Sequence, residues 1–229
     1  MTTHEYQRAF FGRRKGKKLR PHQAALFDTL LPRLAVATGK AAPADLRDLF
    51  APALDDVRLE IGFGGAEHLV AQARENPRSG FIGSDAFVNA MAKALAAIEA
   101  QQLGNIRLYF GDAMQLIGWL PPGSLARIDL LYPDPWPKRR HWKRRFIQDA
   151  TLIALARILR RGGELRFVTD IADYAAWTLA CVARSPDFDW TAERADDWRK
   201  AWDGFGGTRY EAKAKREGRV PCYLIFRRK

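Results

Sequence analysis

Short apolar runs alternate with longer helical patterns from residue 57 onward, and this alternation limits the possible folds more than any other feature of the chain. The apolar runs predict β-strands at residues 57–61, 80–84, 106–110, 127–132, 164–169 and 221–226. The patterns between them predict helices after residue 66 and at residues 86–102, 113–119, 146–159 and 171–183. Such an alternation predicts an α/β fold, in which helices cover both faces of a mostly parallel sheet.

The residues that precede this alternation are predicted to form a small addition to a single large domain. The 229 residues are enough for one such domain and a small addition. We predict a basic arm and an N-terminal cap over residues 1–50, and the main domain over residues 51–229. Within the main domain, Gly162 and Gly163 are expected to end a helix, and residues 206–211 are expected to form a turn.

The two cysteines and the hydropathy pattern bear on metals and on location. Cys181 and Cys222 form no CxxC pair and have no histidine at the spacing of a metal ligand, so we expect neither a disulfide scaffold nor a metal site. The chain has no run of about 18 apolar residues, and its first residues lack the apolar core of a secretory signal. We therefore expect a cytoplasmic protein without a membrane span, whose oligomeric state the sequence leaves open.

Positive charge is concentrated in three segments, at residues 8–20, 138–145 and 209–229. The whole chain has 38 Lys and Arg against 26 Asp and Glu, which gives a formal net charge of +12. The three segments hold 21 of these basic residues and only two of the acidic ones, so the remainder is net acidic. This segregation suits a polyanionic partner, because phosphates attract clustered Lys and Arg. Three solvated surfaces that never meet would give the same counts.

The residues that follow each strand are the ones to examine for chemistry, because ligands of such sheets bind at the carboxyl ends of the strands. After the first strand, Gly62 and Gly64 let the backbone turn tightly and approach a ligand. Glu67 would lie beside the pyrophosphate of a dinucleotide, which argues against NAD or FAD. The acidic Glu60 suits a cationic ligand better, and S-adenosylmethionine carries an ammonium and a sulfonium group. A glycine turn that serves packing alone is the alternative.

Acidic residues also follow later strands, where Asp85, Asp112 and Asp170 occur in this order. A carboxylate in the place of Asp85 can accept hydrogen bonds from both ribose hydroxyls of a nucleoside. Asp112 can accept from the exocyclic amine of adenine, with Met114 against the ring. Asp85 and Asp112 can equally cap the helices that follow them, and the two roles are compatible.

Residues 133–138, Pro-Asp-Pro-Trp-Pro-Lys, are the most informative stretch of the chain. Three prolines in alternate positions fix φ and remove backbone donors, which predicts a rigid, extended loop. This loop would hold Asp134 and Trp136 at the ligand-binding edge, directly before basic residues that continue to residue 145. An enzyme that modifies a nucleic acid needs such an arrangement. Trp142 is predicted to pack on the core, with stacking on a base as the alternative.

With these residues, the sequence resembles the bacterial tRNA (guanine-N7)-methyltransferase family over nearly its whole length, from Arg13 to the last strand. The strongest match is residues 133–138 with the basic residues after them, followed by residues 59–64. Residues 169–170 and 208–211 match in the expected order. The resemblance implies a Rossmann-like class I methyltransferase fold with a seven-stranded sheet. It also implies S-adenosylmethionine as cofactor, tRNA as partner, and methyl transfer to N7 of the guanine at position 46 in the variable loop.

The resemblance also implies roles for individual residues, none of them in metal binding. The cofactor contacts fall on Glu60, Gly62, Gly64, Asp85, Asp112 and Asp134. The substrate contacts fall on Lys138, Arg140, Arg144, Arg145, Asp170, Thr208, Arg209, Tyr210 and Glu211, with residues 140–145 along the RNA. Asp134 is also the predicted catalytic residue, because a rigidly held carboxylate near the methyl group can stabilise positive charge. Tyr210 is suited to stacking on a base, and Glu211 to accepting from its amino groups.

Two residues depart from the family pattern: Ala66 stands where a third glycine is common, and Asp85 where a longer glutamate is common. The alternative functions are methylation of an adenine amino group, non-catalytic RNA binding on the same fold, and methylation of a small molecule. Trp136 and Pro137 interrupt the pattern of the adenine enzymes. The acidic residues at the strand ends argue against a non-catalytic protein, and the segregated charge would serve no purpose with a small substrate.

Overall fold

A computed structural model gives the fold of residue 12 and of residues 14–51 and 53–229. Within these ranges one sheet contains the strands β1 Asp56–Ile61, β2 Ser79–Asp85, β3 Ile106–Phe110, β4 Leu125–Leu131, β5 Leu159–Thr169, β6 Phe188–Trp190 and β7 Cys222–Arg228. Their order is β3-β2-β1-β4-β5-β7-β6. The first five strands are parallel to their neighbours among them, whereas β7 is antiparallel to β5 and β6. The order reverses between β1 and β4, where sheets of this kind bind ligands.

Helices cover both faces of this sheet. The α-helices of the described part are α1 Pro21–Thr29, α2 Leu31–Leu34, α3 Glu67–Glu75, α4 Val88–Gln101, α5 Ala113–Trp119, α6 Asp149–Ile158, α7 Ala172–Arg184, α8 Asp196–Arg199 and α9 Arg209–Arg216, with 3₁₀ helices at Leu46–Leu49 and Arg139–Arg144. Neighbouring side chains of a strand point to opposite faces, as Phe81 and Ile82 of β2 do. Phe81 packs with residues of α1, α3 and α4, and Ile82 belongs to the larger core with α5, α6 and α7. The predicted α/β class is confirmed.

The N-terminal segment packs on the sheet. The amide of Val36 donates to the carbonyl oxygen of Leu108 at 2.9 Å, which attaches the segment to β3. The buried Leu46 and Phe50 belong to the larger core. The division of the chain at residue 50 stays a prediction.

The predicted basic arm is described only in part, because residues 8–11 and 13 lie outside the described residues. Its later part meets the start of α4. The amide of Val88 donates to the carbonyl oxygen of Arg14 at 3.0 Å. The side-chain amide of Asn89 donates to the carbonyl oxygen of Lys17 at 2.7 Å. These contacts bring basic residues to the edge of the sheet that holds the candidate site.

Two predictions for the second half of the chain are wrong. The glycines at residues 162–163 do not end a helix, because α6 has already ended and β5 continues through both of them. Residues 206–211 are more than a turn, since the hydroxyl of Thr208 accepts from the amide of Glu211 at 3.1 Å and caps α9. β6 and α8 had no predicted counterpart, because three or four residues are too few for a periodic pattern.

The described ranges contain no helix that is long and apolar enough to cross a membrane. They also contain no group of three His, Cys, Asp or Glu side chains placed to hold a metal ion. Both cysteines are free thiols; Cys181 is buried and Cys222 is partly buried.

Candidate functional site

A cavity of about 610 Å³ opens at the carboxyl ends of β1 to β4, at the switch point of the sheet. Cavities that bind small molecules have volumes of about 300–1,000 Å³, so its size suits a ligand. The predicted site residues that line it are Gly62, Gly64, Asp85, Asp112, Asp134, Arg144 and Tyr210. The structure thus brings together five of the six predicted cofactor residues and two of the predicted substrate residues.

The glycine loop after β1 is tied to the end of β2 by Asp85. Gly62 and Gly64 have φ angles of 71° and 55°, in the left-handed region that favours glycine. The amide of Gly64 donates to Oδ2 of Asp85 at 2.9 Å, and the amide of Phe87 donates to Oδ1 at 2.8 Å. Burial raises the pKa of Asp85, and these two hydrogen bonds oppose the rise. A carboxylate has about four acceptor positions, so Asp85 retains capacity for a ligand.

Ala66 shows what its departure from the glycine pattern requires. It is buried and has a φ of 64°, a left-handed conformation that costs a residue with a Cβ about 1–2 kcal/mol. The chain therefore retains at Ala66 the backbone shape that a glycine would adopt. Alanine in place of glycine therefore adds strain to this turn but leaves its backbone conformation unchanged.

Asp112 fulfils one of its two proposed roles directly, since it caps α5. Its Oδ1 accepts from the amide of Met114 at 3.0 Å. Both residues also line the cavity, where an acidic group and a thioether lie side by side. The helix cap and a ligand contact are therefore compatible at this position.

The loop at residues 133–138 is not uniformly extended, contrary to the prediction. Tyr132 and Trp136 have φ angles of 50° and 44°, and each directly precedes a proline. Bulky residues in this region carry strain of about 1–3 kcal/mol, which is concentrated at functional sites in proteins. The two turns leave Asp134 exposed on the cavity wall. The Tyr132 ring stacks against Tyr210, with centroids 6.4 Å apart and planes 25° from parallel.

Glu60 lies outside the cavity lining, unlike the other predicted cofactor residues. Its exposed fraction is 4%, and its Oε2 is 2.8 Å from Nδ1 of His68 in α3. Burial raises the pKa of Glu60, and His68 partly offsets this effect. The geometry ties the end of β1 to α3, and the predicted contact of Glu60 with the cofactor stays a prediction.

The basic stretch after the proline-rich loop separates into exposed and buried residues. Lys138 and Arg140 are exposed, and Arg144 lies in the cavity wall with its guanidinium 5.0 Å from the centre of the Trp136 ring. Arg145 has an exposed fraction of 0%, unlike these neighbours, and its predicted place along the RNA stays a prediction. Trp142 is partly buried and meets the indole of Trp177 edge to face, and its predicted packing on the core stays a prediction.

The start of α9 reaches the cavity through one residue, Tyr210, which is 47% exposed. Its neighbour Arg209 instead pairs with Glu67 at 2.7 Å and so joins α9 to α3. Thr208 is engaged as the helix cap. The predicted substrate contacts of Thr208 and Arg209 stay predictions.

Two further predicted substrate residues are held by basic partners away from the cavity lining. Glu211 is buried and accepts a hydrogen bond from the hydroxyl of Tyr223 at 2.6 Å, and Lys215 pairs with it at 2.6 Å. Asp170 accepts from Nε of Arg219 at 2.6 Å. Their contacts with a substrate stay predictions as well.

Sequence reasoning missed several residues of the cavity wall, among them Ser84, Phe87, Tyr132 and Phe146. The first three lie at or beside predicted strand ends, so their positions offered a signal that their residue types did not. The buried Oγ of Ser84 has no hydrogen-bond partner among the described residues, which leaves it available to a ligand. No sequence signal pointed to Phe146.

Solved structures with a similar fold are methyltransferases. The 16S rRNA methyltransferase KamB superposes with a TM-score of 0.59 at 18% identity and covers 83% of this chain and 95% of its own. An rRNA methylase from Streptococcus thermophilus has a TM-score of 0.52 at 11% identity, over 77% of this chain and 88% of its own. At these identities the likeness is one of fold alone. Residues 55–223 also match a family model described as "Putative methyltransferase".

Sequence relatives are much closer. The tRNA (guanine-N(7)-)-methyltransferase of Bradyrhizobium diazoefficiens is 62% identical over 222 residues, which are 97% of this chain and 94% of that protein. That of Rhodopseudomonas palustris strain HaA2 is 62% identical over 224 residues, 98% of this chain and 88% of that protein. The fold, together with the family match over residues 55–223, defines a methyltransferase of the Rossmann-like α/β class. Within this class, the chain belongs to the tRNA (guanine-N7)-methyltransferase family, as the sequence resemblance predicted.

Proposed function

We propose that this chain transfers a methyl group from S-adenosylmethionine to N7 of the guanine at position 46 in the variable loop of tRNA. One observation carries the proposal: a cavity lined by Asp85, Asp112 and Asp134 lies beside the basic 3₁₀ helix Arg139–Arg144. The acidic cavity suits a cationic nucleoside, and the basic helix suits a polyanion. The names of the relatives specify tRNA and guanine N7, which supports the same substrate.

The cavity suits S-adenosylmethionine in charge as well as in size. Among the described residues, the charged side chains in its lining are three carboxylates and the guanidinium of Arg144. When bound, the cofactor supplies a methyl group that a nucleophile can take. The loop with Gly62 and Gly64 lets the backbone approach the cofactor closely. With the cofactor bound, Asp85 would accept hydrogen bonds from its ribose hydroxyls, and Asp112 would accept from its adenine amine.

The chain has little proton chemistry to perform, because N7 of guanine carries a lone pair and no proton. Catalysis therefore consists mainly of holding N7 in line with the methyl carbon. Asp134 stabilises the positive charge that the base acquires and orients it. The paired rings of Tyr132 and Tyr210 offer the base a flat apolar face at the cavity mouth.

The exposed basic residues bind the tRNA backbone. Lys138 and Arg140 are exposed and lie in the chain between Trp136 and Arg144, which both line the cavity, so they can meet phosphates near the target base. N7 of this guanine takes part in tertiary pairing, so the variable loop must open at a cost of a few kcal/mol. Phosphate contacts offset this cost, which makes binding strongly dependent on salt. A tRNA substrate implies that the protein acts in the cytoplasm.

The test is methyl transfer from labelled S-adenosylmethionine to unmodified tRNA, followed by nucleoside analysis. We expect 7-methylguanosine, and we expect it to be lost when the guanine at position 46 is replaced by adenine. Asp134→Asn should lose turnover while it still binds the cofactor, whereas the matched control Asp189→Asn, at an exposed site on β6, should retain both.

Other products would point to the alternatives. A methylated adenine amino group would retain the fold and the cofactor but refute the substrate. The absence of transfer, together with no cofactor binding in calorimetry, would favour a non-catalytic RNA-binding protein.

A further inference from the structure

The last residue of the basic stretch, Arg145, points into the protein. Its exposed fraction is 0%, whereas Lys138 and Arg140 of the same stretch are exposed. A buried guanidinium is costly unless it is paired and hydrogen-bonded. The groups that contact Arg145 compensate this cost, and they indicate the role of the residue.

Three aromatic rings surround the guanidinium of Arg145. Its central carbon lies 4.7 Å from the ring centre of Trp142, 5.0 Å from that of Tyr174 and 5.5 Å from that of Trp177. The two indoles also meet edge to face, with centroids 5.5 Å apart. Cation–π contacts of a desolvated arginine are worth about 2 kcal/mol or more. The rings therefore hold the guanidinium in one position.

The N–H groups of Arg145 join this aromatic cluster to the loop that carries the candidate catalytic residue. Nε donates to the carbonyl oxygen of Pro135 at 3.0 Å. On the other side, Nη1 donates to the carbonyl oxygen of Asp173 at 3.4 Å, and Nη2 donates to its carboxylate. Pro135 lies directly between Asp134 and Trp136, which both line the cavity. The guanidinium thus connects the start of α7 to the middle of the cavity wall.

This loop needs support from outside, because its own backbone supplies few hydrogen-bond donors. The three prolines within residues 133–137 have no N–H, and Trp136 is held in a left-handed conformation. The same cluster also fixes a second part of the wall, since the hydroxyl of Tyr174 accepts from the amide of Phe146 at 2.9 Å. The contacts around Arg145 therefore hold two parts of the cavity wall in place, the proline-rich loop and Phe146.

We infer that Arg145 is a positioning residue that holds the proline-rich loop so that Asp134 faces the transferring methyl group, and that it takes no part in RNA binding. This inference rests on the proposed function. A lysine cannot replace Arg145, because an ammonium has neither the planar fork that reaches Pro135 and Asp173 together nor the same stacking on the rings. Two arginines of the same basic stretch thus have different roles: Arg145 positions the loop, and the exposed Arg140 binds RNA.

The experiment compares Arg145→Lys with Arg140→Ala in the full chain, with Arg160→Lys, at an exposed site, as the matched control. We expect Arg145→Lys to lower kcat about tenfold to a hundredfold, as a displaced reacting group does. It should leave the tRNA Kd and its salt dependence unchanged. Arg140→Ala should instead weaken tRNA binding and reduce the slope of log affinity against log salt by about one. Arg160→Lys should match the wild type throughout.

Hydrogen exchange of the peptide that spans residues 132–146 supplies a measurement besides activity. Arg145→Lys should accelerate exchange in this peptide more than in the peptides of β1 and β4, which a residue on the RNA surface would not do. If Arg145→Lys fails to fold, Asp173→Asn serves instead, because this side chain is half exposed and is only one partner of the guanidinium. It should show the same pattern to a smaller degree.

The outcomes separate the inference from the proposed function. An inactive wild type would refute the proposed function, and the exchange result would still report on the loop. An active wild type with a normal kcat and normal loop exchange in the variant would refute the inference alone. A changed salt slope in Arg145→Lys would also refute it, because the residue would then belong to the RNA surface.

Discussion

Alanine substitutions at three glycines separate backbone strain from steric crowding in the cavity wall. Gly62 and Gly64 have φ angles of 71° and 55°, whereas Gly118 lies on the exposed side of α5. An added Cβ meets nothing within 4 Å at Gly62 or at Gly118. At Gly64 it would lie 3.1 Å from Cε2 of Tyr210. An added Cβ is therefore strained but uncrowded at Gly62, strained and crowded at Gly64, and neither at Gly118.

The expected changes in the free energy of unfolding differ in sign. Gly62→Ala should lower it by about 1–2 kcal/mol, the cost of a left-handed residue with a Cβ. Each kcal/mol corresponds to a fall in Tm of about 2–4 °C for a chain of this size. Gly118→Ala should raise it by about 0.8–1 kcal/mol, because alanine favours the helix. Gly64→Ala should cost as much as Gly62→Ala, since the exposed ring of Tyr210 can move aside.

The assay is urea unfolding followed by circular dichroism without cofactor, with kcat/KM for tRNA measured separately. Gly64→Ala should lower kcat/KM beyond the loss seen in Gly62→Ala, because it displaces Tyr210 from the cavity mouth. The reasoning fails if Gly62→Ala is as stable as the wild type. It also fails if Gly118→Ala destabilises the chain as much as the other two.

Three further predictions concern buried charge and the RNA surface. Burial lowers the pKa of His68, but the Glu60 carboxylate more than offsets this and leaves the pKa raised, so the folded state binds this proton more tightly than the unfolded state does. The resulting stability is complete below about pH 6.5 and is lost as the pH rises through the raised pKa, so His68→Gln should flatten this part of the curve of Tm against pH. Tyr223→Phe should lower the free energy of unfolding in urea by about 1–3 kcal/mol, because the buried carboxylate of Glu211 loses a donor; unchanged stability would mean that its remaining ion pair suffices. Lys138→Ala should reduce the salt dependence of tRNA binding by about one unit of slope, and an unchanged slope would remove Lys138 from the RNA surface.

The central strands were predictable because short runs rich in Val, Ile, Leu and Phe recur between helical patterns, although charged residues interrupt them, as Arg127 and Asp129 do in β4. The glycine pair at 162–163 was misleading for a tertiary reason. Glycine after a helical pattern commonly ends the helix, but here Leu159 already pairs with Leu125 of β4. Strand pairing between distant segments overrode the local signal.

Other features differ in whether a sequence signal existed at all. The cap of α9 had one, since Thr208 followed by Glu211 has the spacing of a capping box before a helix. The burial of Arg145 had none, because its basic neighbours have the same charge and only the fold brings an aromatic cluster to one of them. Gly62, Gly64 and Asp85 were predictable as wall residues because the ends of parallel strands share one edge.

The order of the strands has a consequence for synthesis on the ribosome. β7 lies between β5 and β6 although it follows both along the chain. Strands β1 to β5 can pair as they leave the exit tunnel, but the outer edge of β5 stays open until residues 222–228 have been made. An open edge is a template for pairing with another chain. The nascent protein is therefore most exposed to aggregation in the interval between the emergence of β5 and that of β7, when a chaperone on that edge would protect it best.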